Sequence, residues 1–136
     1  MKLIKNTQDL LASLNLDAKS GLPIRNFQID SRKVTKNSVF FGLTGSNEDG
    51  SLYAEDAIAK GASLAIIKDS KVLNSFIQSS RVIAVKSPEK CLIESAKIAM
   101  ERYKGNIIGF TGSNGKTTTK NILKSCIKNS YATFQN

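Results

Sequence analysis

The sequence has 136 residues, 40% hydrophobic and 23% charged, the proportions of one compact soluble domain with or without a piece of a second. Twenty basic side chains against eleven acidic give a net charge of +9, which points to anionic partners: nucleic acid, acidic lipid or phosphorylated small molecules. The lack of histidine excludes Ser-His and Cys-His catalytic pairs and histidine-ligated metals, and two cysteines, Cys91 and Cys126, are too few for a disulfide framework.

Met1–Asn6 turns polar too early for a signal peptide, and no apolar run approaches the roughly 20 residues that cross a bilayer. The expected location is therefore the cytoplasm, with no membrane partner. A short amphipathic helix is predicted over 7–14, with Thr7 as N-cap and Leu10, Leu11 and Leu14 on one face. Phe27 and Ile29 alternate with polar neighbours as a strand leading into Asp30-Ser31-Arg32. Val39–Leu43 reads as a buried strand, and the Gly-, Ser-, Asn- and Asp-rich stretch 44–51 as a loop. A helix is predicted over 52–60 with Gly61 as its C-cap, then a strand over 64–67, a helix around Val72, Leu73, Phe76 and Ile77, and a strand over 81–85.

Ser87 then reads as the N-cap of a helix with Pro88 in its first position, carrying Leu92, Ala96, Ala99, Met100 and Tyr103 at helical spacing. Asn106–Phe110 reads as a short buried strand. Alternating strands and helices imply an α/β fold with a largely parallel sheet. Charge is uneven: residues 1–84 hold eleven basic and eight acidic side chains, residues 85–136 nine and three. The predicted division is residues 1–86 followed by residues 87–136.

The motif with most chemistry is Thr111-Gly112-Ser113-Asn114-Gly115-Lys116-Thr117-Thr118, between the apolar run at 107–110 and a helix carrying Thr119, Ile122, Leu123, Cys126 and Ile127 on one face. Strand, glycine-rich turn, Gly-Lys-Thr and helix form an arrangement that cradles nucleotide phosphates. Glycines let main-chain N–H groups point at phosphate, the helix N-terminus favours negative charge, Lys116 neutralises the β- and γ-phosphates, and the Thr117 hydroxyl can ligate Mg²⁺. The spacing departs from G-x-x-x-x-G-K-[ST], because Phe110 stands where the first glycine belongs. Cys126 reads as a small core residue.

This loop resembles the ATP loop of the Mur ligases, which build the peptide of bacterial peptidoglycan and share the shortened glycine spacing. Asp30-Ser31-Arg32, Ser38-Val39-Phe40-Phe41-Gly42-Leu43, Gly45, Asp49-Gly50 and Gly61-Ala62 likewise resemble the UDP-binding domain of the two later-acting family members. On its own, Asp30-Ser31-Arg32 is equally an ordinary turn. The resemblance implies a small α/β UDP-substrate-binding domain followed by the first strand–P-loop–helix–strand unit of a parallel-sheet ATPase domain. It implies ATP and Mg²⁺ as cofactors, with ATP on Gly112, Ser113, Asn114, Gly115, Lys116, Thr117 and Thr118, magnesium on Thr117, and catalysis through Lys116 and Thr117. It places the UDP part of a UDP-N-acetylmuramoyl-peptide on Ile29, Ser31, Arg32, Ser46, Asn47 and Glu48.

Lys120 and the ending Tyr131–Asn136 resemble the member that adds D-alanyl-D-alanine through an acyl phosphate; the member that adds the third residue is the alternative. The expectation is an amino-terminal piece of a monomeric ligase, inactive alone. A basic nucleic-acid-binding module is the alternative of another class, but the lysines look scattered and no aromatic stacking platform is present, so no nucleic-acid partner is expected.

Overall fold

A computed structural model describes residues 4–17, 21–46, 48–70, 77–101 and 103–127. The chain divides into two compact units, Met1–Tyr103 and Lys104–Asn136. The first unit runs α1 (Thr7–Ser13), β1 (Asn26–Gln28), a 3-10 turn (Ser31–Lys33), β2 (Ser38–Gly42), a second 3-10 turn (Gly50–Tyr53) leading into α2 (Ala54–Ala59), β3 (Leu64–Lys68), β4 (Val82–Val85) and α3 (Pro88–Glu101). Among the described residues the strands form one sheet in the order β1-β2-β3-β4, with every neighbouring pair parallel.

The unbroken apolar runs of β2 and β3 are those of strands covered on both faces. Phe40, Ala65, Ile67 and Val82 meet Ala54, Ala57 and Ile58 of α2 on one face. Val39, Phe41, Leu64, Ile66 and Val85 meet Leu10 and Leu11 of α1, with Cys91 and Leu92 of α3, on the other. Strands laid side by side in chain order put right-handed crossovers on a single face. The opposite face is left to the helix before β1 and the helix after β4.

Several expectations are corrected in detail. Asn6, not Thr7, caps α1, its side chain accepting from Asp9 N–H at 2.9 Å. Thr7 is buried, and its hydroxyl accepts from Leu22 N–H at 3.0 Å. β1 ends at Gln28, leaving Ile29 60% exposed. The helix predicted over 52–60 begins as a 3-10 turn because Asp49 accepts from Ser51 N–H at 3.0 Å. Gly61 does follow it with φ +100°. On α3 Leu92 faces the sheet as expected, with Cys91 and Ser95 beside it, while Ala96, Ala99 and Met100, and Tyr103 past the helix end, are exposed, so the buried stripe shares only Leu92 with the predicted one. Residues 71–76 and Tyr131–Asn136, where a helix and a final strand are expected, lie outside the described residues.

The second unit has α4 (Lys116–Ile127) after the glycine-rich loop. Asn106–Phe110 pairs with no strand among the described residues, and Ile107, Ile108 and Phe110 are exposed. An apolar run becomes a strand only beside a ladder partner, which its own sequence does not supply. Cys126 is exposed too, not a core residue. By packing, α3 belongs to the first compact unit, which ends at Tyr103, seventeen positions beyond the expected functional division at 86/87. Among the described residues no helix is long and apolar enough to cross a membrane.

Candidate phosphate and substrate sites

Gly112 has φ +148° and Gly115 +76°, both in the region that disfavours a Cβ. The loop can therefore turn tightly and aim main-chain N–H groups outward. Gly115 carbonyl accepts from Thr119 N–H at 2.9 Å and so starts the ladder of α4. The N–H groups of that first turn have no acceptor within the helix and carry its positive dipole end. The Lys116 ammonium donates to Gly112 carbonyl and is thereby held over the loop. Phe110, Lys116, Thr117 and Lys120 line a cavity of about 160 Å³ there. Ser113, Asn114 and Thr118 are exposed at the same turn.

These residues fit a polyphosphate: the two glycines hold backbone that other residues resist, and the donors are N–H groups, an ammonium and hydroxyls. Among the described residues no three His, Cys, Asp or Glu side chains gather around a metal position. The Thr117 hydroxyl is an oxygen donor of the kind Mg²⁺ takes together with phosphate oxygens.

The second constellation stands beyond the carboxyl ends of β1 and β2, the edge where parallel sheets bind ligands. Asp30 accepts from Arg32 N–H at 3.0 Å, capping the Ser31–Lys33 turn. Arg32 also grips the same carboxylate with Nε and Nη2, each at 2.9 Å. The guanidinium bonds hold the Asp30 carboxyl down at about 2, and the carboxylate raises Arg32 in return. Arg32 is thus engaged with its own turn. Lys60, from the end of α2, donates to Ser31 carbonyl at 3.3 Å and to Asp56 at 2.6 Å, fastening the turn to the helix.

The loop after β2 is drawn tight by Gly50 N–H donating to Leu43 carbonyl and Gly45 N–H to Glu48 carbonyl, both at 2.9 Å. A Cβ on Gly50 would stand 2.6 Å from Leu43 O, and one on Gly42 would stand 2.9 Å from the Ser51 backbone. Tyr53 donates its hydroxyl to Glu48 at 2.8 Å, and that carboxylate raises the phenol. The Glu48 carboxylate also acts on Arg32, so the two loops are neighbours. From the α3 side, Glu89 accepts from Thr44 N–H at 3.4 Å and from the Ser87 hydroxyl at 2.8 Å. Its carboxyl is lowered by backbone N–H donors and by Ser87.

Ser31, Arg32 and Glu48 thus come together. Ile29 is exposed at the end of β1, Ser46 is exposed in the β2 loop, and Asn47 lies outside the described residues. Tyr53 and Lys60 escaped sequence reasoning. The one local signal was the Asp56-Lys60 spacing of four, which marks an ion pair on a helix but not its reach to Ser31.

Residues 23–104 match the Mur ligase family, catalytic domain. The chain belongs to the Mur ligase family. That match ends before the glycine-rich loop, so loop and family signature are separate observations. The Mur ligase chain is 39% identical over 115 residues to UDP-N-acetylmuramoyl-L-alanyl-D-glutamate--2,6-diaminopimelate ligase of Clostridioides difficile, covering 81% of this chain and 22% of that protein. It is 31% identical over 132 residues to UDP-N-acetylmuramoyl-tripeptide--D-alanyl-D-alanine ligase of Rickettsia prowazekii, covering 97% of this chain and 28% of that one. The structure is similar to MurF ligase from Thermotoga maritima in complex with ADP, with a TM-score of 0.67, 32% identity, and coverage of 81% of this chain and 25% of the other. MurF from Acinetobacter baumannii, at 22% identity and a TM-score of 0.70, shares the fold. The chain thus spans about a quarter of the length of the curated relatives it matches.

Proposed function

We propose that this Mur ligase chain supplies the UDP-substrate site and the ATP phosphate loop of a cytoplasmic, monomeric ligase of peptidoglycan precursor synthesis, one that adds D-alanyl-D-alanine to UDP-N-acetylmuramoyl-tripeptide. Residues 1–86 are assigned to the UDP substrate, and residues 87–136 to a linker helix and the start of the ATP-binding domain. The observation that carries the reading is the turn at Gly112 and Gly115, with Lys116 held over it, in a chain whose residues 23–104 match the family. The D-alanyl-D-alanine assignment is supported by the alignment with the Rickettsia relative over 97% of the chain. The higher identity to the Clostridioides ligase favours a second reading, addition of the third peptide residue.

In this reading the main-chain N–H groups at 112–118 orient the triphosphate, and Lys116 neutralises charge that builds up as the γ-phosphate passes to the substrate carboxylate. The Thr117 hydroxyl would hold magnesium, which would offset charge on the phosphates. Ser31 and the loop carrying Ser46, Asn47 and Glu48 hold the uridine end, with Ile29 beside it. Arg32, gripped by Asp30, stiffens the turn that presents Ser31.

Calorimetric titration with ATP and with UDP-N-acetylmuramoyl-tripeptide tests the assignment. Heat from both ligands is the expected result, and a folded sample silent to both overturns it. Product analysis with tripeptide plus D-alanyl-D-alanine, against dipeptide plus diaminopimelate, using the chain within its full-length ligase, separates the two readings.

A further inference from the structure

Among the cations of the second unit, Lys120 has a position that the loop motif does not account for. It opens the second turn of α4 and lines the same cavity as Lys116, Thr117 and Phe110. At about 100° per residue, Lys120 stands roughly 40° round the helix from Lys116, between it and Thr117 at about 100°. Its Cα lies about 6 Å further along the axis. Helical side chains lean toward the N-terminus, so a lysine one turn down leads back to the loop. Lys120 is half-buried where Lys116 is exposed. After Glu101 the sequence contains no Asp or Glu through residue 136, so the side chains of this segment carry a net positive charge. Lys116, Lys120 and Lys124 recur every four residues along α4, one helical row in place of the scatter expected from composition. Of the three, Lys116 and Lys120 reach the cavity.

Resting on the phosphate-loop reading above, we propose that Lys120 is a further nucleotide-binding residue, holding the β,γ end of the triphosphate beside Lys116. The angular position decides which phosphates it would meet, because it falls between Lys116, assigned to the β- and γ-phosphates, and Thr117, whose hydroxyl would hold magnesium. A lysine there acts as a mobile point charge, suited to a phosphate whose charge redistributes during transfer.

The test is titration of the chain and of its Lys120→Met and Lys120→Arg variants with ATP, ADP and AMP in magnesium buffer, followed by calorimetry. Lys120→Met should weaken ATP about tenfold, ADP by less, and AMP by under about twofold, as loss of one charged contact at the outer phosphates requires. Lys120→Arg, which keeps the charge, should hold ATP within about threefold of the parent. Unchanged ATP affinity in Lys120→Met overturns the inference, and so does an equal loss for all three nucleotides, the mark of a merely structural role. If the parent chain itself binds no ATP, the phosphate-loop reading falls, and this inference falls with it. If the parent binds ATP and only Lys116→Ala loses it, the inference alone fails.

Discussion

Replacing Gly50 with alanine is expected to separate two backbone segments that now touch. The new Cβ would lie 2.6 Å from Leu43 O, 3.0 Å from Leu43 N and 3.3 Å from the Gly42 carbonyl carbon. All are main-chain atoms in or beside β2, so no flexible side chain can yield. Relief requires moving the loop, which stretches the 2.9 Å bond from Gly50 N–H to Leu43 carbonyl. A lost hydrogen bond costs about 1 kcal/mol and overpacking about 1–3 kcal/mol, so the substitution should remove about 2–4 kcal/mol of stability. Against the roughly 5–15 kcal/mol of an ordinary domain, that is a large fraction. Urea unfolding followed by circular dichroism measures it, with Gly109→Ala as control, since nothing stands within 4 Å of a Cβ there. The control should stay within about 0.5 kcal/mol. On the proposed assignment of the loop carrying Ser46 and Glu48 to the UDP substrate, affinity for the UDP-linked peptide should fall in parallel. A Gly50→Ala loss below about 0.5 kcal/mol would refute the close approach of these two segments.

Other expectations follow from the same geometry. Asp30, held at about 2 by Arg32, contributes stability that is fully present above its ordinary value of 3.8 and is lost as pH falls through about 2. Carboxyl-carbon NMR should show that low midpoint and its return toward 3.8 in Arg32→Ala; an unchanged midpoint would remove Arg32 as the cause. Phe41→Ala empties a fully buried site whose ring meets Phe27 edge-on at 5.7 Å between centroids, and should cost about 3–5 kcal/mol by denaturant midpoint. Asn6→Ala should cost about 1 kcal/mol as the loss of a helix N-cap. Lys116→Ala should weaken ATP by at least about tenfold while leaving the unfolding midpoint in place, because its ammonium is exposed and bonds only the loop among the contacts seen.

What could be read locally was read from features that act over a few residues. Val39-Phe40-Phe41 and Leu64-Ala65-Ile66-Ile67 announce buried strands because nothing else accommodates continuous apolar runs of that length between turn residues. Gly112 and Gly115 announce a tight turn ahead of α4, which their positive φ angles bear out, because glycine alone enters that conformation freely. Misreadings arose where a local pattern had more than one outlet. Asn6 and Thr7 are both capping residues, and the choice turned on Leu22, fifteen positions away, which takes the Thr7 side chain. Ile107 and Ile108 have the composition of a strand, but a strand also needs a neighbour.

The sequence by itself determined the α/β class, the order of the strands β1 to β4 and the glycine-rich turn ahead of α4, because periodicity, turn chemistry and motif spacing are properties of adjacent residues. Only the tertiary structure decided which side of α3 meets the sheet, that Arg32 is taken by Asp30, and that Tyr53 and Lys60 brace Glu48 and Ser31. Those outcomes depend on distances between segments brought together by parallel pairing of β1, β2 and β3. Pairing across a sheet is set by the sum of many weak burial terms on both faces, which no single stretch of sequence carries.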